Sequence, residues 1–372
     1  MTLAQRLPTS LLPLDVALAT LLCGLEPLTA VEFPLKEALG CVTAELPPLK
    51  AFPPHDVAAA DGWALRTRDL VGASSYTPVR LAMPAVWVEA GDQIPNGCDC
   101  VIDADSVDET GPIRQVLTEA IPGQGVRRIG GNIADGFVIA PGVRLRPIDI
   151  LPARAAGLET MRVRRPRLCV VNVPSIKGEV ATAQLIQESA RSAGAEVVYA
   201  EAASRDASSI IEALDTGSCD MVVTVGGCGL GRTDATVVAM AQRGEVIAHG
   251  IALQPGRTSA IGRIGNTPVI AVSGLTDHAL AAWWTLALPA LDRLSGRQPR
   301  RSTVLPLARK IASSVGIAEI ALLGRNDNSW MPLALGDLPF ETIVGAQAWL
   351  TIPGSSEGFA AGTPIAAYTL WE

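Results

Sequence analysis

The stretch CDMVVTVGGCGLGRTDA, residues 219–235, decides how the chain is read. Met221 to Thr224 are apolar or β-branched and run into Gly226, Gly227, Gly229 and Gly231; Thr233 and Asp234 then suit the start of a helix. Strand, glycine turn and helix follow in that order. Such a turn leaves backbone N–H groups unpaired at a helix N-terminus, where their partial positive charge favours a phosphate or another oxyanion. A tight βα connection that binds nothing has the same pattern. The spacing is neither GxGxxG nor a P-loop with its lysine, so it does not decide between the two.

Outward from the turn, strands and helices alternate. Strands are expected at 168–173, 196–202, 246–251 and 268–272, and helices at 182–193, 206–214, 234–242 and 276–294. That alternation implies a mostly parallel sheet covered on both faces, with ligands beyond the carboxyl ends of its strands. Upstream, residues 57–147 hold apolar runs of about five residues between frequent turn signals, the pattern of a β-rich module. It is entered through LPPLKAFPPHD, whose prolines at 47, 48, 53 and 54 exclude helix and central strand. A helix over 14–24 enters through Pro13. From about Arg301 the tail reads as a small β-barrel or sandwich. The expected division is 1–50 with 148–166, an inserted module 51–147, an α/β domain 167–299 and a β domain 300–372.

A chain of 372 residues holds two to four domains at roughly 100–200 residues each. Its net charge of −7 argues against a nucleic-acid backbone or an anionic membrane as main partner. No stretch reaches the ~18–20 uninterrupted apolar residues of a membrane span. The seven cysteines are scattered without a C-x-x-C pair, so neither a disulfide framework nor a zinc site is indicated, and a cytoplasmic protein is expected. Arg127 and Arg128 stand beside the flexible turn Gly130-Gly131-Asn132, either as a solvated basic pair or as part of a pocket for anionic groups.

Several phrases, in one shared order, resemble the molybdopterin molybdenumtransferase family, the MoeA and gephyrin E-domain group. PLKEALGCVTAE resembles the stretch after the family's first helix, with Cys41 where an arginine is usual. PPHDVAAADGWAL is similar to the phrase ending S-A-M-D-G-Y-A and keeps Asp61, Gly62 and an aromatic, Trp63. AGDQIPNGCDCVIDAD resembles T-G-A-P-x-P-x-G-A-D-A-V-V, with Pro95, Gly97 and Asp99 in place. RRIGGNIADG resembles R-x-G-E-D-I, and LQPGRTSAIG, with Pro255, Gly256 and Arg257, resembles K-P-G-K-P. The likeness runs over almost the whole chain.

The resemblance implies a multidomain α/β plus β chain: a three-layer parallel-sheet domain of the molybdopterin-binding type, a β-rich inserted module and a C-terminal β-barrel-like domain. It implies adenylylated molybdopterin and molybdate as substrates, Mg²⁺ as helper and a homodimer as the assembly. Phosphates would rest on Gly226, Gly227, Gly229 and Gly231, with Arg232, Arg257, Arg127 and Arg128 as cations and Asp99 and the Pro255-Gly256 turn at the binding surface. Asp61 and Asp234 would act in catalysis and hold the metal, although a turn role suits Asp61 and a capping role suits Asp234.

The sequence also departs from the family pattern. Val225, Gly229 and Arg232 stand where a threonine, a serine and an acid are expected, Gly131-Asn132 replaces a Glu-Asp pair, and Ala90 replaces a threonine. The P-G-N-P turn reads SGLT at Ser273–Thr276, and an S-T-G-D-E stretch is missing after Val173, with Glu179 a candidate for its glutamate. Two functions fit: the insertion of molybdate with release of AMP, or a non-catalytic paralogue that binds the pterin or finished cofactor as carrier, chaperone or regulator.

Overall fold

A computed structural model describes residues 5, 7–8, 10–81, 83–175, 180–214, 217 and 219–370; Glu179 lies outside the described residues. Its helices, in chain order, include α1 (Leu14–Leu22), α2 (Pro147–Ala155), α3 (Ala181–Ser192), α4 (Ala207–Ala213), α5 (Thr236–Arg243), α6 (Thr276–Ala282) and α7 (Leu288–Ser295).

Arg167–Asn172, Met221–Val225 and Thr267–Val272 are runs of mostly branched apolar residues, which suit strands buried on both faces. They lie side by side. The six-stranded order is Glu196–Glu201, Arg167–Asn172, Met221–Val225, Thr267–Val272, Ala260–Ile264, Glu245–His249; the first four strands pair in parallel, and Ala260–Ile264 pairs antiparallel with the strand on each side of it. Period-two alternation sends Val170, Val223 and Ile270 into one core with α1, α3, α6 and α7. Val171, Val222 and Val269 enter a second core with α4 and α5. Three layers result, and the carboxyl ends of the parallel strands open on one edge.

The expected strand 246–251 is two strands. Glu245–His249 closes the parallel sheet, and Gly250, at φ +99°, turns the chain so that Ile251–Gln254 joins another. That second sheet runs Leu12–Pro13, Ile251–Gln254, Ala318–Asn326, Ala348–Ile352, Pro364–Thr369, Ser302–Pro306, with Ser329–Leu335 also paired to Ala318–Asn326. The C-terminal strands therefore share a sheet with the N-terminus and with the α/β region. Aromatic contact reinforces the junction: a π-helical turn, Trp283–Ala287, links α6 to α7, and Trp284 stacks on Trp349 at 5.4 Å and 14°.

Residues 57–147 form small antiparallel sheets, among them Val86–Val88, Gly62–Leu65 and Cys100–Ile102. Near the end of this module Phe137 contributes one isolated bridge, to Leu49. Ahead of α1 the chain crosses the Gly250 corner: a Cβ at Gly250 would meet Leu7, Leu11 and Pro8 at 2.9, 3.0 and 3.2 Å.

Candidate functional site

Val225 ends its strand, and Gly226 and Gly227 take φ of +95° and +68°, a bend that only glycine adopts freely. The turn is locked to α5. Thr236 N–H donates to Gly227 O at 3.0 Å and Thr236 Oγ1 donates to Gly226 O at 2.9 Å.

Three successive carbonyls of the turn are held by side chains. Gln5 Nε2 donates to Gly227 O at 2.9 Å and to Gly229 O at 3.1 Å, and His249 Nε2 lies 2.9 Å from Cys228 O. A carbonyl only accepts, so His249 carries a proton on Nε2. In a trans peptide, the C=O of one residue and the N–H of the next point in opposite directions. The N–H groups of Cys228, Gly229 and Leu230 are thereby turned away from Gln5 and His249. Among the described residues the N–H groups of Gly229 and Leu230 have no acceptor, whereas that of the fully buried Cys228 turns to its own thiol. Consecutive free N–H groups of this kind make a concavity suited to an anion.

The helix N-terminus beside the turn is engaged by the chain itself. α5 begins at Thr236 rather than Asp234, and Val237 N–H donates to Gln5 Oε1 at 2.8 Å. A carboxamide of the chain itself fills the place assigned to phosphate. Beside it, Cys228 is fully buried, and burial, followed by the charge of Asp234, pushes its thiol up to about 12. It is inert as a nucleophile.

Asp234 does not cap α5. Its Oδ2 accepts the Gly231 N–H at 2.8 Å, and its Oδ1 pairs with Arg205. Arg205 also donates to Pro174 O at 2.7 Å and to Thr233 Oγ1 at 3.1 Å. One guanidinium thus ties the loops that follow three neighbouring parallel strands. The glycines make room for this: a Cβ on Gly229 or Gly231 would come within 2.7 or 2.9 Å of Asp234 Oδ2. Asp61 is exposed, and its Oδ1 accepts the Ala90 N–H at 2.7 Å. Among the described residues no three His, Cys, Asp or Glu side chains gather as a metal site. With a guanidinium on Asp234 and a turn amide on Asp61, the expected metal ligands do not fit a magnesium ion held by this chain alone.

The other expected residues divide between two regions. Arg232 and Arg257 are exposed. The turn containing Pro255, Gly256 and Arg257 meets the glycine turn where the Thr258 side chain bonds to Cys228. Asp99, Arg127 and Arg128 lie with Asp61 in the β-rich module. Asp99 accepts Thr67 N–H at 2.7 Å and Thr67 Oγ1 at 2.9 Å, so it braces a loop. Arg128 pairs with Asp56 at 2.6 Å, and Arg127 is exposed on the strand facing Val57–Ala58. Among the described residues no hydrogen bond or ion pair joins this group to the glycine turn.

Gln5, His249 and Arg205 were not expected. Arg205 follows the carboxyl end of a parallel strand, where the general rule for such sheets directs attention. Gln5 and His249 carry no local signal: their partners lie 222 and 21 residues away.

The fold defines an α/β protein with a glycine turn at the carboxyl edge of a parallel sheet. Two family models cover most of the chain: "MoeA N-terminal region (domain I and II)" matches residues 12–157 and "Probable molybdopterin binding domain" matches 177–293. The chain belongs to the MoeA family. It is 26% identical to molybdopterin molybdenumtransferase 2 of Mycobacterium tuberculosis, covering 91% of this chain and 95% of that protein. It is 27% identical to the molybdopterin molybdenumtransferase of Haemophilus influenzae over 77% of this chain and 79% of the relative. The crystal structure of the molybdopterin biosynthesis moeA protein from Pyrococcus horikoshii superposes with a TM-score of 0.72 at 25% identity, covering 97% of this chain and all of that one. In the described residues no helix is long and apolar enough to cross a membrane.

Proposed function

We propose that this protein acts in molybdenum cofactor biosynthesis, taking adenylylated molybdopterin and molybdate and releasing AMP. The observation that carries the reading is the pair of neighbouring N–H groups, Gly229 and Leu230, that have no acceptor among the described residues at the carboxyl edge of the parallel sheet. A pterin phosphate seated there receives up to two hydrogen bonds from donors already in place. The exposed guanidinium groups of Arg232 and Arg257 supply charge at its rim. The loss of an acid at 232 then favours phosphate binding over cation binding. Mg²⁺ is left without a fitted set of ligands in one chain.

The assembly belongs to the same reading. In a homodimer, the β-rich module of one chain, with Asp61, Arg127 and Arg128, faces the glycine turn of the other and supplies the second wall of the cleft. The division into 1–50 with 148–166, 51–147, 167–299 and 300–372 is part of this proposal, as is a cytoplasmic location. The non-catalytic alternative is set aside, because relatives matched over most of the chain are named transferases.

Purified protein given adenylylated molybdopterin, Mg²⁺ and molybdate is expected to release AMP and retain molybdenum. Pterin bound with its adenylate intact after prolonged incubation would end the transferase reading.

A further inference from the structure

We infer that Gln5, ahead of α1, is a positioning residue of the anion seat; the inference rests on the reading of the Gly229 and Leu230 N–H groups as that seat. Gln5 is buried, at 8% exposure, and its carboxamide makes three bonds to two parts of the fold. Oε1 accepts the Val237 N–H at the start of α5, and Nε2 donates to Gly227 O and Gly229 O. The first bond is a helix cap. The other two act on the turn: by holding these carbonyls they orient the peptide units whose N–H groups belong to Cys228 and Leu230. His249 does the same for the unit between them.

A glycine-rich turn is otherwise free to flip peptide units, because glycine populates both signs of φ. A flipped unit would present a carbonyl to the phosphate and replace attraction by repulsion. Gln5 removes that freedom at the Gly229–Leu230 unit, while at the Gly227–Cys228 unit it adds to the bond from Thr236 N–H. The arm is itself fixed: Leu7 and Pro8 pack on the Gly250 corner, and Leu12–Pro13 pair with Ile251–Ala252. That corner directly follows His249, so one turn of chain anchors the arm and supplies the second side chain that holds the glycine turn. The arm, the corner and the seat are thereby coupled.

The capping and positioning roles separate in a set of full-length variants. Gln5→Glu keeps an acceptor for Val237 N–H but has no N–H for the two carbonyls; Gln5→Met is neutral and close in shape but keeps neither bond; Gln5→Asn keeps both groups on a shorter stem. Backbone amide NMR shifts of Cys228, Gly229, Leu230 and Val237 are recorded without ligand, and binding of adenylylated molybdopterin is measured by calorimetry. Positioning predicts that Gln5→Glu and Gln5→Met both move the amide signals of 228–230, and that Gln5→Glu leaves that of Val237 nearest to wild type. Gln5→Met is expected to raise Kd about tenfold, the loss of two modest hydrogen bonds, and Gln5→Asn to recover part of that loss. Unchanged 228–230 signals in both Glu and Met variants would overturn the inference and leave Gln5 a helix cap. Wild-type protein that binds no pterin, with those signals still displaced in the variants, would tell against the functional reading while supporting the role of Gln5.

Discussion

Asp234 keeps its carboxylate on a loop amide and on Arg205, and the glycines at 229 and 231 give that carboxylate its space. The serine expected by family pattern at 229 could not be added without moving it. Departures that look independent along the sequence are thus coupled at one atom, Asp234 Oδ2. His249 offers a test at the same scale. Burial holds its imidazole below the ordinary histidine range, more than its bond to Cys228 O raises it. The unfolded chain then takes up a proton more readily than the folded one. The contribution to stability is complete above the unfolded value of about 6.5 and is lost as pH falls through the lower folded value. Urea unfolding at about pH 7.5 and about pH 5.5 should show wild type losing more stability than His249→Gln, which donates without titrating in this range. Equal losses in the two proteins would count against it. Glycine spacing and arginines were readable at this scale because they are local; Gln5, His249 and the Arg205 clamp were not, because their partners are remote in sequence.

At the scale of the element, the strand–turn–helix unit was legible because buried strands announce themselves by continuous branched residues and glycine marks the bend. Its helix was expected two residues early: Thr233 and Asp234 have capping chemistry, but Arg205 and Gly231 claim the carboxylate first. The strand expected at 246–251 shows a further limit. Apolar alternation continues through Gly250, while the backbone there turns and passes from one sheet to another. Ala260–Ile264, Ser302–Pro306 and Ser329–Leu335 were overlooked as strands, since short runs beside glycine or proline carry weak patterning. Gly250→Ala tests the corner. Its left-handed φ strains an alanine, and the new methyl group would press on Leu7, Leu11 and Pro8. Denaturant titration should show a loss of about 1–3 kcal/mol. A change below about 0.5 kcal/mol would mean that the arm does not bear on this turn.

Across the whole molecule, the order of β-rich module, parallel domain and β tail was legible from where periodicity changes. What the order concealed is that the tail shares its sheet with Leu12–Pro13 and Ile251–Gln254, because pairing between distant edges leaves no mark in local pattern. The chain's two ends and its middle are thus built into one support, from which the arm reaches the glycine turn. The expected cations and carboxylates of the β-rich module lie apart from that turn, and the proposed second chain is what brings such a module opposite it. The most direct measurement is a crystal structure of the protein with adenylylated molybdopterin. The account predicts phosphate oxygens about 3 Å from the backbone nitrogens of Gly229 and Leu230, with Arg232 or Arg257 at the rim and a partner's β-rich module across the cleft. Pterin seated elsewhere, with those two N–H groups making no contact to it, would contradict it.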